Sequence, residues 1–378
     1  MTVFQLAADY LMSPLYARLF DHLETSYDIT NVVYVSTRQR NPIVTSEDIT
    51  KRDVFVCPKL FSVMDRLLFF PKQQFLYNDA SKLMSEFNID IIHAHTLFSN
   101  GWMAYRLKRK YDIPYIVAVR STDVYTFFRR MPHLRKLGLR VLCSADIVVF
   151  LSSTLRNVLE NKYIPDEYRA LVSSKSIVIP NGIDPLFIEN KWESHKKISD
   201  TVNVIFIGRI DKRKNLPVLV KACDIINNQG RKVHLKVIGN IFDSKIAEFA
   251  LSHQYVEYIP FSSPQKIIGH LRSSDVLVVP SLRETFGLVY AEAMSQGVPV
   301  IYSCGEGFDG QFADGEVGYA VDPHSPDDIA EKINKVICNH GRLSENCISL
   351  VDKFDWRNIS SRYFSVYDSI VNRQEWIR

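Results

Sequence analysis

The sequence lacks several patterns that mark particular classes of protein. No run of about 18 consecutive apolar residues occurs, so we expect no membrane-spanning helix. The N-terminal stretch reaches an acidic residue at Asp9 and has no basic leader before a long apolar core, so we expect no secretion signal. The six cysteines contain no Cys-x-x-Cys pair, which argues against a zinc cage and a disulfide framework.

Metal-binding and nucleic-acid-binding patterns are also missing. No Asp-x-Asp follows a predicted strand, and His93 and His95 have no third ligand nearby in the sequence, so we expect no metal site. No nucleic-acid-binding motif accompanies the basic residues, so we expect no nucleic-acid partner.

What is present is a repeated alternation of strands and helices. A chain of 378 residues favours two domains, and short β-branched runs followed by helical patterns are typical of parallel sheets covered by helices. The predicted strands of the first half are 3–6, 32–35, 89–95, 115–119, 147–151 and 177–180. Those of the second half are 202–207, 233–238, 276–280, 299–303 and 317–321. The fold class is therefore α/β with two doubly wound sheets, joined at the turn-rich segment 178–187.

Two cations follow the first strand of the second half. Arg209 and Lys214 stand at the mouth of a predicted helix, where fixed positive charges and helix amides together suit a diphosphate. The alternative is that Arg209, Lys212, Arg213 and Lys214 form a solvated loop.

Two carboxylates mark the stretch PSLRETFGLVYAEAMSQGVPV at residues 280–300. Glu284 follows a strand, the amides of Phe286, Gly287 and Leu288 open the next helix, and Glu292 lies in its second turn. Glycine at 287 lets an anionic ligand approach the backbone closely. Taken singly, Glu284 is also explained as a helix cap and Glu292 as an acid favoured by the helix dipole.

Together these motifs resemble family 4 of the retaining glycosyltransferases, which have the two-domain GT-B fold. Glu284-x7-Glu292 resembles the E-x7-E signature of the family, and GRIDKRKN at 208–215 resembles its donor-phosphate element. IPNGID (179–184), DIIHAH (90–95), SADIVVFLSS (144–153) and FDWRNISSRYFSVYDSI (354–370) resemble further family segments in the same order.

The resemblance implies two Rossmann-like domains that face each other across a cleft. Residues 1–183 would form the acceptor-side domain, 184–355 the nucleotide-sugar-binding domain, and 356–378 a helix returning to the first domain. Arg209 and Lys214 would hold the diphosphate, and Glu284 would lie beside the donor sugar near its reacting carbon. Gly208 and the amides of Phe286, Gly287 and Leu288 would bind the donor, and Glu292 the ribose hydroxyls. Cations aimed at a departing diphosphate lower the barrier, so no metal or other cofactor is expected.

Two segments depart from the family pattern. The stretch AADYLMSP at 7–14 lacks the Gly-Gly loop that many relatives carry after the first strand. Arg120 and Ser121 occupy positions where the family commonly has His-Gly, and an always-charged guanidinium cannot act as a base. We place His95, Arg120 and Asp123 in the cleft and expect Arg120 to read an anionic group. An ion pair between Arg120 and Asp123 is the alternative.

The segment 101–140 is strongly basic. It holds ten Lys or Arg against Asp112 and Asp123, an excess of 10 − 2 = +8. Aromatic residues lie between these cations, namely Trp102, Tyr105, Tyr125, Phe127 and Phe128. The mixture suits an anionic membrane surface. The alternative is a solvated helical face whose aromatic side chains pack inward.

The sequence therefore predicts a retaining, metal-independent glycosyltransferase. We expect a nucleotide-sugar donor, a glycan or lipid-linked acceptor, and a role in bacterial surface polysaccharide synthesis. The expected location is cytoplasmic, at the inner face of the membrane. Two alternatives share the fold: a GT-B nucleotide-sugar epimerase, and a catalytically silent nucleotide-binding partner of another transferase.

Overall fold

The computed structural model describes residues 1–36, 52–59, 69–193 and 199–375. The chain divides into two compact units. The first comprises Met1–Leu151, Leu155–Asn181 and Trp356–Arg378, and the second comprises Ser152–Thr154 and Gly182–Asp355. The C-terminal segment from residue 356 thus groups with the first unit.

The first unit is built on a parallel sheet with helices on both faces. Its described strands are β1 (Thr2–Leu6), β2 (Thr30–Val35), β3 (Asp53–Val56), β4 (Ile91–Ala94), β5 (Tyr115–Val119), β6 (Ile147–Phe150) and β7 (Ser176–Val178), in the order β3-β2-β1-β4-β5-β6-β7. Its described α-helices are Pro14–Tyr27, Phe69–Leu83, Gly101–Tyr111, Arg135–Ser144, Ser153–Tyr163, Asp166–Ser174 and Trp356–Glu375. Short helical turns occur at Tyr10–Met12, Asp123–Phe128 and Pro132–Leu134.

Alternate side chains of each strand enter opposite cores. Phe4 and Leu6 of β1 pack into one hydrophobic cluster, whereas Val3 packs into the other. The second cluster is covered by the helices Pro14–Tyr27 and Trp356–Glu375, whose Tyr27 and Phe364 rings stack with centroids 4.4 Å apart. Because both faces are buried, the central strands are mostly apolar. The polar side chains that they carry, among them Gln5 and His93, are buried and hydrogen-bonded.

The second unit repeats this architecture with a smaller sheet. Its described strands are β8 (Val202–Ile207), β9 (Val233–Ile238), β10 (Val256–Ile259), β11 (Val276–Val279), β12 (Val300–Ser303) and β13 (Gly318–Val321), in the order β10-β9-β8-β11-β12-β13. Its described helices are Pro185–Glu189, Leu216–Asn228, Ser244–Leu251, Pro264–Arg272, Leu288–Ser295, Pro326–Cys338 and His340–Leu350, followed by a turn at Val351–Phe354.

The predicted fold class is confirmed, since both sheets are parallel and doubly wound. Every predicted run contains a strand, although 89–95 shortens to Ile91–Ala94. The sequence prediction missed β3 and β10, which are edge strands of the two sheets. Neither has a fully buried residue. β10 is interrupted by Glu257, whereas β3 contains the short apolar run 54–56 that the prediction passed over.

Within the part of the chain that the structure describes, no helix is both long and apolar enough to cross a membrane.

Candidate active site

The candidate residues of the second unit lie at one edge of its sheet. β8, β11 and β12 are neighbours and run parallel. The segments that follow them, 208–215, 280–287 and 304–310, therefore emerge side by side at the carboxyl edge, where open parallel sheets bind ligands. Arg209, Lys214 and Glu284 lie on the first two of these segments.

Asp211 holds the loop after β8 in shape. Its Oδ1 accepts the backbone N–H groups of Arg213 and Lys214, each at 3.0 Å, in the pattern of an Asx turn. The Lys214 stem then lies against Gly208, because a Cβ placed on that glycine would be 3.4 Å from Lys214 Cε. The Lys214 side chain thus crosses the end of β8 in contact with Gly208.

Arg209 remains at the rim of this edge. Its side chain is 49% exposed, and its Nε lies 3.6 Å from the Asp211 carboxylate. The guanidinium carbon lies 5.1 Å from the centre of the Phe242 ring, within range of a cation–π contact. These two neighbours orient the guanidinium and leave it accessible to an anion.

Lys214 and Glu284 form an ion pair in the interior of the site. The Lys214 ammonium donates to the Glu284 carboxylate, and their side chains are 12% and 13% exposed. The Ser281 hydroxyl donates to the same carboxylate at 3.3 Å, and the Thr285 N–H does so at 3.1 Å. The solvated-loop alternative therefore fits the exposed Arg209, Lys212 and Arg213 but not Lys214.

Glu284 is not the cap of the following helix. The N-cap position of Leu288–Ser295 is Gly287, and no side chain caps it. Gly287 has φ +81°, and a Cβ there would lie 2.4 Å from the Tyr290 ring. Glycine is therefore required at this position both by the backbone conformation and by the space available.

Three backbone amides at the start of this helix have no hydrogen-bond partner within the described part of the protein. Among the residues that the structure describes, no group accepts a hydrogen bond from the backbone N–H of Phe286, Gly287 or Leu288. Helix N-termini of this kind attract anions, because the amides and the helix dipole act together. Glu292 lies in the second turn of the same helix and is partly buried.

Sequence reasoning missed Glu306, on the segment after β12. Its Oε2 accepts the backbone N–H of Glu284 at 2.6 Å. Burial raises the pKa of the Glu306 carboxyl, while the Glu284 N–H and the Arg283 charge act in the opposite direction. The signal available in the sequence was a carboxylate within the glycine-rich stretch GEGFDG directly after a predicted strand.

The candidate residues of the first unit also gather at a carboxyl edge. His95 follows β4 and Arg120 follows β5, and these strands are neighbours. His95 is buried, and its Nε2 is 2.8 Å from Gln5 Oε1. The Gln5 amide nitrogen donates to Asn31, so the Gln5 amide oxygen is the atom that faces His95. Because an amide oxygen only accepts hydrogen bonds, His95 Nε2 carries the proton. Burial, together with the charges of His93 and Arg120, holds the pKa of His95 well below its usual value.

Arg120 and Asp123 are linked through the backbone. The Asp123 carboxylate accepts the N–H groups of Arg120, Leu97 and Phe98 at 2.9, 3.1 and 3.2 Å. Burial raises the pKa of Asp123 to about 6, against the lowering effect of these bonds. Within the described residues, no ion pair joins the Arg120 guanidinium to Asp123, so the ion-pair alternative is not the arrangement observed.

The Arg120 guanidinium instead spans two neighbouring segments. Its Nε donates to the His95 carbonyl at 3.0 Å, and one terminal nitrogen is 3.5 Å from Asn181 Oδ1. The guanidinium carbon lies 5.8 Å from the Tyr16 ring centre. Tyr16 belongs to the helix that follows the glycine-free stretch 7–14, where Ser13 accepts the Leu15 N–H and caps the helix.

The aromatic side chains of the basic segment 101–140 face the core. Phe128 is buried, and Trp102, Tyr105, Tyr125 and Phe127 pack against the first hydrophobic cluster. Several of its cations have internal partners: Lys108 pairs with Asp146 at 2.7 Å, and Arg106 lies 3.7 Å from the Tyr77 ring centre. The side chains left exposed are Arg109, Lys110, Arg129, Arg130, Lys136 and Arg140. The inward-packing alternative thus describes the aromatic residues.

Across the described ranges, no group of three or more His, Cys, Asp or Glu side chains is placed to hold a metal ion. Metal independence of the reaction stays a prediction.

The fold and the edge residues define a class of protein. Two doubly wound parallel units, the second with cations and free amides at its carboxyl edge, form a GT-B glycosyltransferase. A model of "Glycosyl transferases group 1" matches residues 187–350, and one of "Glycosyltransferase Family 4" matches residues 31–186. The two models lie end to end and together match residues 31–350, so the chain belongs to the GT-B glycosyltransferases that these models describe.

Individual relatives are distant. An uncharacterised glycosyltransferase of Methanocaldococcus jannaschii is 25% identical over 78% of this chain and 79% of its own. A D-inositol 3-phosphate glycosyltransferase of Corynebacterium aurimucosum is 22% identical over 75% of this chain and 72% of its own.

Two solved structures share the fold. Sucrose-phosphate synthase from Thermosynechococcus elongatus is 18% identical with a TM-score of 0.75, covering 99% of this chain and 100% of that one. An Anabaena protein, HepE, solved with UDP-glucose, is 16% identical with a TM-score of 0.67, covering 98% and 100%. At these identities the likeness is one of fold.

Proposed function

We propose that the protein transfers a sugar, with retention of anomeric configuration and without a metal ion, from a nucleotide-sugar donor to a hydroxyl group. The acceptor is a glycan or a lipid-linked glycan in bacterial surface polysaccharide synthesis. The observation that carries the proposal is the Lys214–Glu284 pair beside the three unbonded amides of Phe286, Gly287 and Leu288.

The charges match the needs of glycosyl transfer. Cleavage of the bond between the sugar C1 and the diphosphate oxygen develops positive character on the sugar and negative charge on the leaving group. Arg209 is exposed enough to bind the diphosphate, and Lys214 is a compact ammonium that binds it from inside. The helix amides bind the donor at the same edge, and Glu292 binds the ribose.

Glu284 has a separate role beside the sugar. Its carboxylate faces the developing positive charge and accepts hydrogen bonds from sugar hydroxyls, while Lys214 orients it. The acceptor hydroxyl attacks C1 on the face that the diphosphate leaves, which retains the configuration. Its proton passes to the departing phosphate oxygen, since Arg120 cannot act as a base and His95 is buried.

Arg120 reads an anionic group on the substrate. Its guanidinium donates to the His95 carbonyl, reaches Asn181 and the Tyr16 hydroxyl, and interacts with the Asp9 carboxylate. A carboxylate or phosphate of the substrate takes the N–H donors of the planar fork that these partners do not use. A relative named for inositol 3-phosphate acts on a phosphorylated acceptor, and a diphosphate-linked lipid acceptor offers the same chemistry here.

Membrane association rests on charge alone. Arg129, Arg130, Lys136 and Arg140 are exposed, whereas the aromatic residues of the segment pack inward. We therefore propose attraction to an anionic inner membrane face without insertion of aromatic side chains. Binding to anionic vesicles should fall with salt and in a variant with Arg129 and Arg130 neutralised, and equal binding to neutral vesicles would contradict this.

The test of the transferase is a donor screen followed by turnover. Thermal shifts with UDP, GDP, ADP and their sugars identify the nucleotide, since a ligand far above its dissociation constant stabilises by a few kcal/mol. The selected nucleotide sugar is then incubated alone and with candidate acceptors. Acceptor-dependent release of nucleoside diphosphate supports transfer. Conversion of the sugar without acceptor would indicate an epimerase, and binding without turnover a silent partner.

A further inference from the structure

The segment 304–310 (CGEGFDG) after β12 lies against the loop that carries Glu284. Glu306 Oε2 accepts the Glu284 N–H at 2.6 Å, and the Gly307 N–H donates to the Glu284 carbonyl at 3.3 Å. Both backbone groups of Glu284 are therefore held by two consecutive residues of a neighbouring segment.

The close approach depends on glycine at position 307. A Cβ there would lie 2.4 Å from the Thr285 carbonyl oxygen and 2.7 Å from the Phe286 nitrogen. Next to it, the buried Phe308 ring packs 4.8 Å from Tyr290 and anchors the segment in the core. The Glu306 carboxylate is thus brought to the Glu284 backbone by a rigid connection.

We infer that Glu306 is a positioning residue that fixes Glu284 for glycosyl transfer independently of Lys214. The inference rests on the proposed function, in which Lys214 also binds the diphosphate. When the Lys214 ammonium turns to the phosphate, the donors left on the Glu284 carboxylate are the Ser281 hydroxyl and the Thr285 N–H, which belong to the same loop as Glu284. The charge-assisted bond from Glu306 holds the Glu284 backbone whatever Lys214 does.

Asp314 provides a matched control outside the three segments of the site. Its Oδ1 accepts the Ala320 N–H at 2.9 Å, so Asp314→Ala removes a carboxylate acceptor of a backbone N–H without touching Glu284 or segment 304–310. Glu306→Gln is the conservative variant, because its amide oxygen can still accept the Glu284 N–H.

The experiment measures kcat, the donor KM, the dissociation constant of the nucleoside diphosphate and the melting temperature of the full-length protein and the three variants. For Glu306→Ala we expect kcat to fall roughly tenfold, about the loss of one charge-assisted bond, with the donor KM and nucleotide affinity within about twofold of wild type. Glu306→Gln should recover most of the loss, and Asp314→Ala should keep kcat.

Three results would overturn this role. They are a normal kcat in Glu306→Ala, equal losses in Glu306→Ala and Asp314→Ala, and a loss of nucleotide affinity that matches the loss of kcat. A wild-type protein that binds nucleotide but transfers no sugar would overturn the proposed function itself, and the wild-type arm distinguishes that failure from the others.

Discussion

Lys214 and Glu284 should depend on each other for the stability of the protein. Substituting both, however, should not restore the activity that either single substitution loses. We consider Lys214→Met, Glu284→Gln and the double variant. Removing one partner of a buried ion pair costs about 3–5 kcal/mol, because the other charge stays buried without compensation. Here both side chains retain slight exposure, 12% and 13%, and Glu284 keeps the Ser281 hydroxyl and Thr285 N–H. We therefore expect each single variant to lose about 2–3 kcal/mol of unfolding free energy.

The double variant leaves neither charge unpaired. Its loss should be well below the sum of the single losses, with a coupling energy of about 2 kcal/mol or more between the two sites. Activity should behave differently, since Lys214 and Glu284 act on different parts of the donor. Each single variant should lose about a hundredfold in kcat/KM, and the double variant should recover none of it.

Chemical denaturation followed by fluorescence gives the unfolding free energies, and initial rates give kcat/KM. Lys221→Met is the control, because Lys221 is an exposed lysine of the second unit outside this pair. Additive losses of stability would show that the pair is not coupled. Normal kinetics in both single variants would remove Lys214 and Glu284 from the catalytic site.

Three further predictions concern metal, substrate charge and pH. Activity should persist in excess EDTA, because Arg209 and Lys214 supply the positive charge; loss that magnesium or manganese restores would refute this. Arg120→Gln should lower kcat/KM by about tenfold or more for an anionic substrate and by less for a neutral analogue. Arg120→Lys should give values between those of the wild type and Arg120→Gln. Equal losses for both substrates, together with a lower melting temperature, would assign Arg120 to stability. Burial, together with the Arg120 charge, lowers the pKa of His93 from its usual 6.5 to about 3, so the unfolded chain binds a proton that the folded chain does not. The free energy of unfolding should therefore fall as pH drops below 6.5, by about 1.4 kcal/mol per pH unit for this group. Denaturation at pH 6.5 and at pH 5 should show a smaller fall for His93→Asn than for the wild type. An equal fall in both proteins would contradict the assignment.

Much of the fold could be predicted because its strands are buried on both faces. Segments rich in β-branched residues, such as those of β5, β8 and β9, predicted strands with the observed bounds. β3 and β10 were missed because each is a short edge strand without a fully buried residue: Glu257 interrupts β10, and the apolar run of β3 is only three residues long.

The site was predictable where its residues are close in sequence. Arg209 and Lys214 belong to one loop, and Glu284, Gly287 and Glu292 to one strand–helix junction, so their grouping follows from local spacing. Their roles in the reaction stay predictions.

The sequence by itself determined two doubly wound α/β units and the residues at the ends of their strands, because hydrophobic periodicity and turn chemistry are local properties. Only the tertiary structure decided which charges meet. Lys214 pairs with Glu284 across β8 and β11, Glu306 reaches the Glu284 backbone from β12, and Asp123 binds backbone amides rather than the Arg120 guanidinium. These partners are far apart in the chain, or other partners are nearer in sequence. The order of strands in the sheet, together with burial, decides which of the possible partners come into contact.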